Sequence, residues 1–169
     1  MRKRAFRVKI IDNFLEKELF FKIYDTMYSD HFGWFIQKST DKEKDNNYQL
    51  THLFYENDVP NSSFFDLLTP ILEKLGVNSL IRVKSNLTFY DNKIDNIFHI
   101  DRPKIKLNHK TSILYLTEGG GTVLKNEDKE EFIEAKENRL LTFDAHTQHK
   151  VVKHKVGEPF RIVINFNYF

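Results

Sequence analysis

The segment Phe98-His99-Ile100-Asp101 carries an imidazole and a carboxylate two residues apart. On an extended strand, residues i and i+2 emerge on the same face. His99 and Asp101 would then stand side by side, with Phe98 and Ile100 turned the other way. That is two ligands of a metal site. A third must come from a distant segment, and His146, His149 and His154 are the candidates. His149 opens the run His149-Lys150-Val151-Val152 soon after Leu140-Leu141-Thr142-Phe143-Asp144, so it is well placed to face across a barrel. Two imidazoles and one carboxylate on one face of an octahedron leave three positions open, which suits non-haem Fe(II) and dioxygen chemistry. The competing reading is a metal-free barrel with incidental surface polar groups, because a His-x-Asp triplet arises often by chance.

Arg161 follows His149 by twelve residues, just after the turn Gly157-Glu158-Pro159. A guanidinium buried among Phe160, Ile162 and Val163 needs an anion. A dicarboxylate co-substrate would supply one: one end chelates the metal and the far carboxylate takes the two-pronged Arg contact. An internal ion pair with Glu158 or Asp144 is the alternative. Asn86, Thr88 and Tyr90 share one face of a predicted strand and offer amide and hydroxyl contacts to the same carboxylates, although rim packing explains Tyr90 nearly as well. Tyr115 and Thr122 are further pocket candidates. Gly119–Gly121 is no phosphate loop, since neither a Lys-Ser/Thr pair nor a helical pattern follows it.

These residues need a scaffold. Residues 6–11 alternate as a first strand. Asp12 or Asn13 is a plausible N-cap, and Leu15, Leu19, Phe20, Ile23, Tyr24 and Met27 recur at helical spacing, predicting a helix over 15–28. Trp34–Gln37 and Tyr48–Tyr55 read as strands around a polar loop, Asp41–Asn47. A second helix is expected over 62–75, with Ser62 as cap, Pro70 disturbing its middle and Gly76 as the stop. After Gly76 come eight short runs: Leu80–Tyr90, Ile97–Ile100, Thr111–Thr117, Gly121–Leu124, Phe132–Ile133, Arg139–Phe143, His149–Val152 and Phe160–Phe166. Strand spacing of this kind predicts a sandwich or barrel and not alternating βα units. The expected class is mainly β with N-terminal helices (α+β). The expected organisation is a single domain over 1–169, with a helical support over 1–76 and an all-β core over 77–169.

Composition narrows the function. The chain has 169 residues, enough for one domain with a substantial core. It has no Cys, which excludes disulfide scaffolds, cysteine-ligated zinc and a thiol nucleophile. Lys and Arg number 26 against 24 Asp and Glu, so net charge gives no general argument for a nucleic-acid or membrane partner. Sixteen Phe against one Trp point to a core packed on phenyl rings. No apolar stretch approaches a membrane span, and Arg7, Lys9, Asp12 and Glu16 interrupt any leader after the basic start, so a cytoplasmic protein is expected.

The ordered set of motifs resembles the Fe(II)/2-oxoglutarate-dependent dioxygenases, in particular their prolyl 4-hydroxylase-like branch. His99 and Asp101 match the first two metal ligands. Ile113–Thr117 followed by Gly119-Gly120-Gly121-Thr122 is similar to the family's strand and Gly-Gly-x-Thr turn. Asn138–Phe143 resembles the strand before the distal His, and His149 and Arg161 match the distal His and the co-substrate's basic anchor. Ile11-Asp12-Asn13-Phe14-Leu15 resembles the family's entry into a supporting helix. The resemblance implies a distorted double-stranded β-helix, a jelly-roll barrel. It implies Fe(II) on His99, Asp101 and His149, with 2-oxoglutarate held by Arg161, Tyr90 and Thr88. It also implies dioxygen-driven hydroxylation of an unactivated C–H bond, with peptidyl proline or another peptidyl or small-molecule substrate. Two alternatives stand beside it: a non-catalytic jelly-roll module that binds a ligand or protein, and a nucleic-acid oxidative demethylase of the same superfamily. The demethylase would need a basic groove lined by Lys104, Lys106 and Lys110.

Overall fold

A computed structural model describes residues 8–38, 48–89, 97–127, 129–152 and 159–169. Eleven strands occur among them: β1 (Lys9–Ile11), β2 (Phe35–Lys38), β3 (Tyr48–Glu56), β4 (Val59–Pro60), β5 (Leu80–Phe89), β6 (Lys110–Tyr115), β7 (Gly121–Asn126), β8 (Lys129–Glu134), β9 (Arg139–Asp144), β10 (Gln148–Val152) and β11 (Phe160–Tyr168). Two α-helices join them, α1 (Lys17–Tyr28) and α2 (Thr69–Leu75). An eight-stranded sheet runs β1-β9-β6-β11-β5-β3-β2, with β4 paired to β3 off that path, and a three-stranded sheet runs β10-β7-β8. Every pairing is antiparallel. The fold is thus mainly β, and β1 to β4, from the first 76 residues, belong to the large sheet.

The period-two alternation of β11 divides the core. Ile162, Ile164, Phe166 and Tyr168 face the helices and join Phe20, Ile23 and Met27 of α1 and Ile71 of α2 in one apolar cluster. Val163 faces the other way and packs with Ile113, Tyr115, Leu141 and Phe143 of the large sheet and Leu124 and Ile133 of the small one. Arg161 follows the second parity, so the sheet pleat carries a cation into the space between the sheets.

Helix α1 buries Phe20, Ile23 and Met27, three and four residues apart. Its N-cap is Glu16, with no side-chain cap bond. Asp12, expected as a cap, instead takes a bidentate contact from Arg139. The entry is secured by Asn138, whose amide accepts from Leu15 N and donates to Leu15 O. The helix expected over 62–75 is instead a single-turn 3-10 helix, Phe65–Leu68, followed by α2. Pro70 explains the break: it lacks an N–H and sits in the first turn of α2, where none is required. Gly76 ends α2 in the left-handed region at φ 66°. Ser62 accepts a bond from Phe64 N and contacts His52 Nε2.

The strand expected at Ile97–Ile100 is a single bridge between His99 and His149, with two reciprocal backbone bonds of 2.9 Å. The ladder stops because Arg102, at φ 50°, and Pro103 after it turn the chain away. Residues 6–7, the 41–47 loop, Tyr90, His154 and Glu158 lie outside the described residues.

Candidate active site

The bridge places the two imidazoles together. Their ring centroids are 4.3 Å apart, and one ligand atom from each of His99, Asp101 and His149 falls within 4.8 Å of the others. These three form the only such cluster among the described residues, and their donor set could hold a metal ion. His149 Nδ1 lies 3.2 Å from Thr147 O and His99 Nδ1 lies 3.4 Å from Ile97 O. Donation of Nδ1–H to a carbonyl leaves Nε2 with its lone pair, the tautomer a metal ligand needs. His149 is buried. Burial lowers its pKa, Asp101 opposes that shift, and the net direction favours the neutral ring.

Asp101 is buried too and is held from two sides. Asn167 Nδ2 donates to its Oδ2 at 3.1 Å and also to Thr111 Oγ1 at 3.0 Å. The Arg82 guanidinium lies 3.6 Å from Oδ1 and donates through Nε to Asn167 Oδ1. Burial alone would raise the Asp101 pKa, but the His149, Arg82 and His99 charges and the Asn167 bond bring it to about 2. With His149 driven towards neutrality, Arg82 and Asn167 remain to keep Asp101 ionised at neutral pH.

Arg161 is 1% exposed, the largest of the fully buried side chains. Its guanidinium carbon is 5.3 Å from the centre of the Tyr115 ring, and Nη2 reaches Thr122 Oγ1 at 3.5 Å. Tyr115 donates its own hydroxyl to Thr122 at 2.8 Å. Burial raises the Tyr115 pKa despite the neighbouring cation, so the phenol keeps its proton. Arg161 has no carboxylate partner among the described residues, and its buried Nε has no hydrogen-bond partner. Asp144, one proposed partner, sits instead beside His146 Nδ1 at 3.3 Å. A guanidinium is effectively never deprotonated, so this buried cation calls for a counterion that no described residue supplies. The residues present therefore fit a carboxylate-bearing ligand at Arg161 and a divalent metal at the triad.

Both groups face one cavity of about 1080 Å³, lined among others by His99, Asp101, His149, Thr122, Thr88 and Arg161. Thr88 lies opposite Arg161 in the β5–β11 register. The unpaired carbonyl oxygens of Asn86 and Asn165, both buried, belong to the same lining. Of the three candidates for the third ligand, His149 reaches the pair, whereas His146 is held by Asp144 and by Ile105 O. Lys104 borders the cavity, but Lys106 and Lys110 are not part of its lining. Arg82 and Asn167 escape sequence reasoning. Their one visible signal is the polar alternation of Arg82-Val83-Lys84-Ser85-Asn86 and Asn165-Phe166-Asn167 within otherwise apolar strands.

No family model matches the chain, and no curated protein matches it. Solved structures do share its fold. A 2OG-Fe(II) oxygenase family oxidoreductase from Burkholderia pseudomallei aligns with a TM-score of 0.73 at 12% identity, over 95% of this chain and 84% of that one. A prolyl hydroxylase from Trichoplax adhaerens, solved with a hypoxia inducible factor peptide fragment, aligns at 0.71 and 17% identity, over 96% and 83%. The α-ketoglutarate-dependent epimerase SnoN of nogalamycin biosynthesis aligns at 0.66 and 9% identity, over 96% and 77%. The chain has the fold of the 2OG-Fe(II) oxygenases, prolyl hydroxylases among them. Among the described residues no helix is long and apolar enough to cross a membrane.

Proposed function

We propose that this chain is an Fe(II)- and 2-oxoglutarate-dependent dioxygenase that hydroxylates an unactivated C–H bond, and that its two sheets form a distorted double-stranded β-helix. In this reading His99, Asp101 and His149 hold Fe(II), and Arg161 takes the far carboxylate of 2-oxoglutarate, helped by Tyr115, Thr122 and Thr88. Bound iron with 2-oxoglutarate and dioxygen supplies the oxidising power. The chain's own residues orient and protect. The Nδ1 contacts of His99 and His149 aim Nε2 into the cavity. Asn167 and Arg82 keep Asp101 charged and in place. Tyr115 and Thr122 fix the guanidinium plane, and burial keeps water from it. A peptidyl substrate, with proline first, draws support from the peptide complex of the fold-sharing prolyl hydroxylase.

One observation carries the reading. A buried cation with no carboxylate partner among the described residues faces the same cavity as a His-Asp-His cluster. The same facing weighs against a non-catalytic binding barrel, for which His149 and Arg161 have no reason to converge. The test is an anaerobic titration of purified protein with Fe(II) and 2-oxoglutarate, following the visible charge-transfer band. The expected result is a band that His99→Ala abolishes and for which Arg161→Leu needs more 2-oxoglutarate. No band at any ratio removes the oxygenase reading.

A further inference from the structure

The small sheet covers only part of the large one. Its Leu124 and Ile133 pack on Ile113, Tyr115, Leu141, Phe143 and Val163, that is, on β6, β9 and β11. Next to them, β5 turns Arg82, Lys84, Asn86 and Thr88 to the cavity, with apolar Leu80 and Ile81 at its start. The strand's other parity, Val83 and Leu87, goes to the helical core. The polar face continues across the sheet, because Lys84 Nζ reaches Gln37 Oε1 on β2 at 3.4 Å. A polar row turned to a cavity beside a set of metal ligands is built to receive a ligand.

The charges on this face are not equally occupied. Arg82 is taken by Asp101 and Arg102 by Glu56. Lys84 has no carboxylate partner among the described residues, and its amide neighbour Gln37 is neutral. Burial, then the neighbouring Arg82, pull the Lys84 ammonium down to about 8, with Asp101 and Glu56 pulling the other way. Neither does 2-oxoglutarate account for Lys84. Arg161 pairs with Thr88 in the ladder while Lys84 pairs with Asn165, four residues along. At the strand rise their backbone positions are about 13 Å apart, and a diacid held between Arg161 and the triad has no carboxylate left for Lys84. Among the described residues that line the cavity, five Lys and Arg side chains stand against two side-chain carboxylates, and one of those two, Asp101, is committed to the triad.

We infer that the cavity-facing row of β5 is the subsite of the primary substrate, and that this substrate carries a carboxylate received by Lys84. The assignment rests on the oxygenase reading only in calling the occupant a substrate. One ammonium suits a single negative charge: Lys84 supplies it, and Gln37 Oε1, which accepts from its Nζ, holds the ammonium in place. A phosphate dianion would ask for the convergent cations that Asp101 and Glu56 have already neutralised. The carboxylate can belong to a free organic acid or to an acidic side chain of a peptide, and the test separates the two.

Anaerobic protein with saturating Fe(II) and 2-oxoglutarate is titrated calorimetrically with hexanoate and with its neutral isostere hexanamide. Parallel titrations use a blocked tripeptide with a central Glu and the same peptide with Gln. The expected result is that at least one acid binds about tenfold or more tightly than its amide, the scale of a charged hydrogen bond. Hexanoate alone marks a free acid, and the Glu peptide alone marks a peptide substrate. Lys84→Met should erase the preference and Lys84→Arg should keep it. Equal binding of acid and amide overturns the inference, as does a preference that survives Lys84→Met, or no binding of either acid. An oligothymidylate that binds while the acids do not overturns it in favour of phosphate. The charge-transfer band separates the two readings: a band without acid binding removes the subsite alone, and Lys84-dependent acid binding without a band removes the oxygenase reading alone.

Discussion

The Arg161 guanidinium lies against the Tyr115 ring, 5.3 Å from its centre, and Tyr115 hands its hydroxyl to Thr122 at 2.8 Å. The arrangement suits a single carboxylate, the role proposed for it here. Arg161→Leu should raise the 2-oxoglutarate concentration needed for the charge-transfer band by roughly 10- to 100-fold, the scale of about 1.5–3 kcal/mol for a hydrogen bond to a charged group. Tyr115→Phe should cost less, about 3- to 10-fold, because only a neutral donor is lost. Equal effects of the two would show that the ring hydroxyl, and not the charge, dominates.

Asn167 ties Asp101 to Thr111 and accepts from Arg82. Asn167→Ala should weaken Fe(II) binding by roughly 10- to 100-fold, as loss of a ligand's outer partner does. The 2-oxoglutarate requirement at saturating iron should stay unchanged, because Asn167 does not touch Arg161. Unaltered Fe(II) affinity would remove Asn167 from this role.

Burial lowers the His149 pKa, and Asp101 partly restores it. In metal-free protein the His149 ring resonance should therefore titrate below pH 6.5, and Asp101→Asn should move the midpoint lower still. Fe(II) competes with the proton for this ring, so its binding should weaken as pH falls through that midpoint. The same shift has a stability consequence. Above 6.5 both folded and unfolded His149 are neutral and the contribution is whole. Below 6.5 the unfolded chain takes up a proton that the folded ring resists, so metal-free protein should lose stability as pH falls towards the folded midpoint. An NMR titration beside thermal melts checks both, and a midpoint above 6.5 contradicts them.

Gly119 and Gly120 sit at φ 89° and 65°, but Gly121 is required for a different reason. A Cβ there would strike the Ile133 carbonyl oxygen and the Phe132 ring across the β7–β8 pair. Gly121→Ala should destabilise the fold by about 1–3 kcal/mol, the usual cost of overpacking. Chemical denaturation measures it, and a neutral substitution would mean that the small sheet shifts freely.

Much of the site was legible because its chemistry is local. His99 and Asp101 are two residues apart, and the bridge to His149 keeps them on one face without a full strand. Arg161 stands out as a lone cation inside Phe160–Val163, where burial forces a question about its counterion. Seven of the eight strands expected in the second half were readable from alternation, and the eighth, Ile97–Ile100, is only the His99–His149 bridge. The helix over 62–75 was not, because Pro70 permits a helix to begin where the periodicity suggested a middle. Arg82, Lys84 and Asn167 looked like ordinary polar positions in a strand, since nothing nearby says which face of β5 or β11 is covered.

The sequence by itself therefore determined the residue types, the strand alternation and the short spacings that could bind a metal and an anion, because these depend on backbone geometry over a few residues. Tertiary structure alone decided which of three histidines meets His99, and that Tyr115 and Thr122 close around Arg161. It also decided that Lys84 faces the cavity while Val83 goes to the core. Those outcomes follow from long-range strand register and from which sheet face is buried. Pairings between segments far apart in the chain settle both, and no local spacing encodes them.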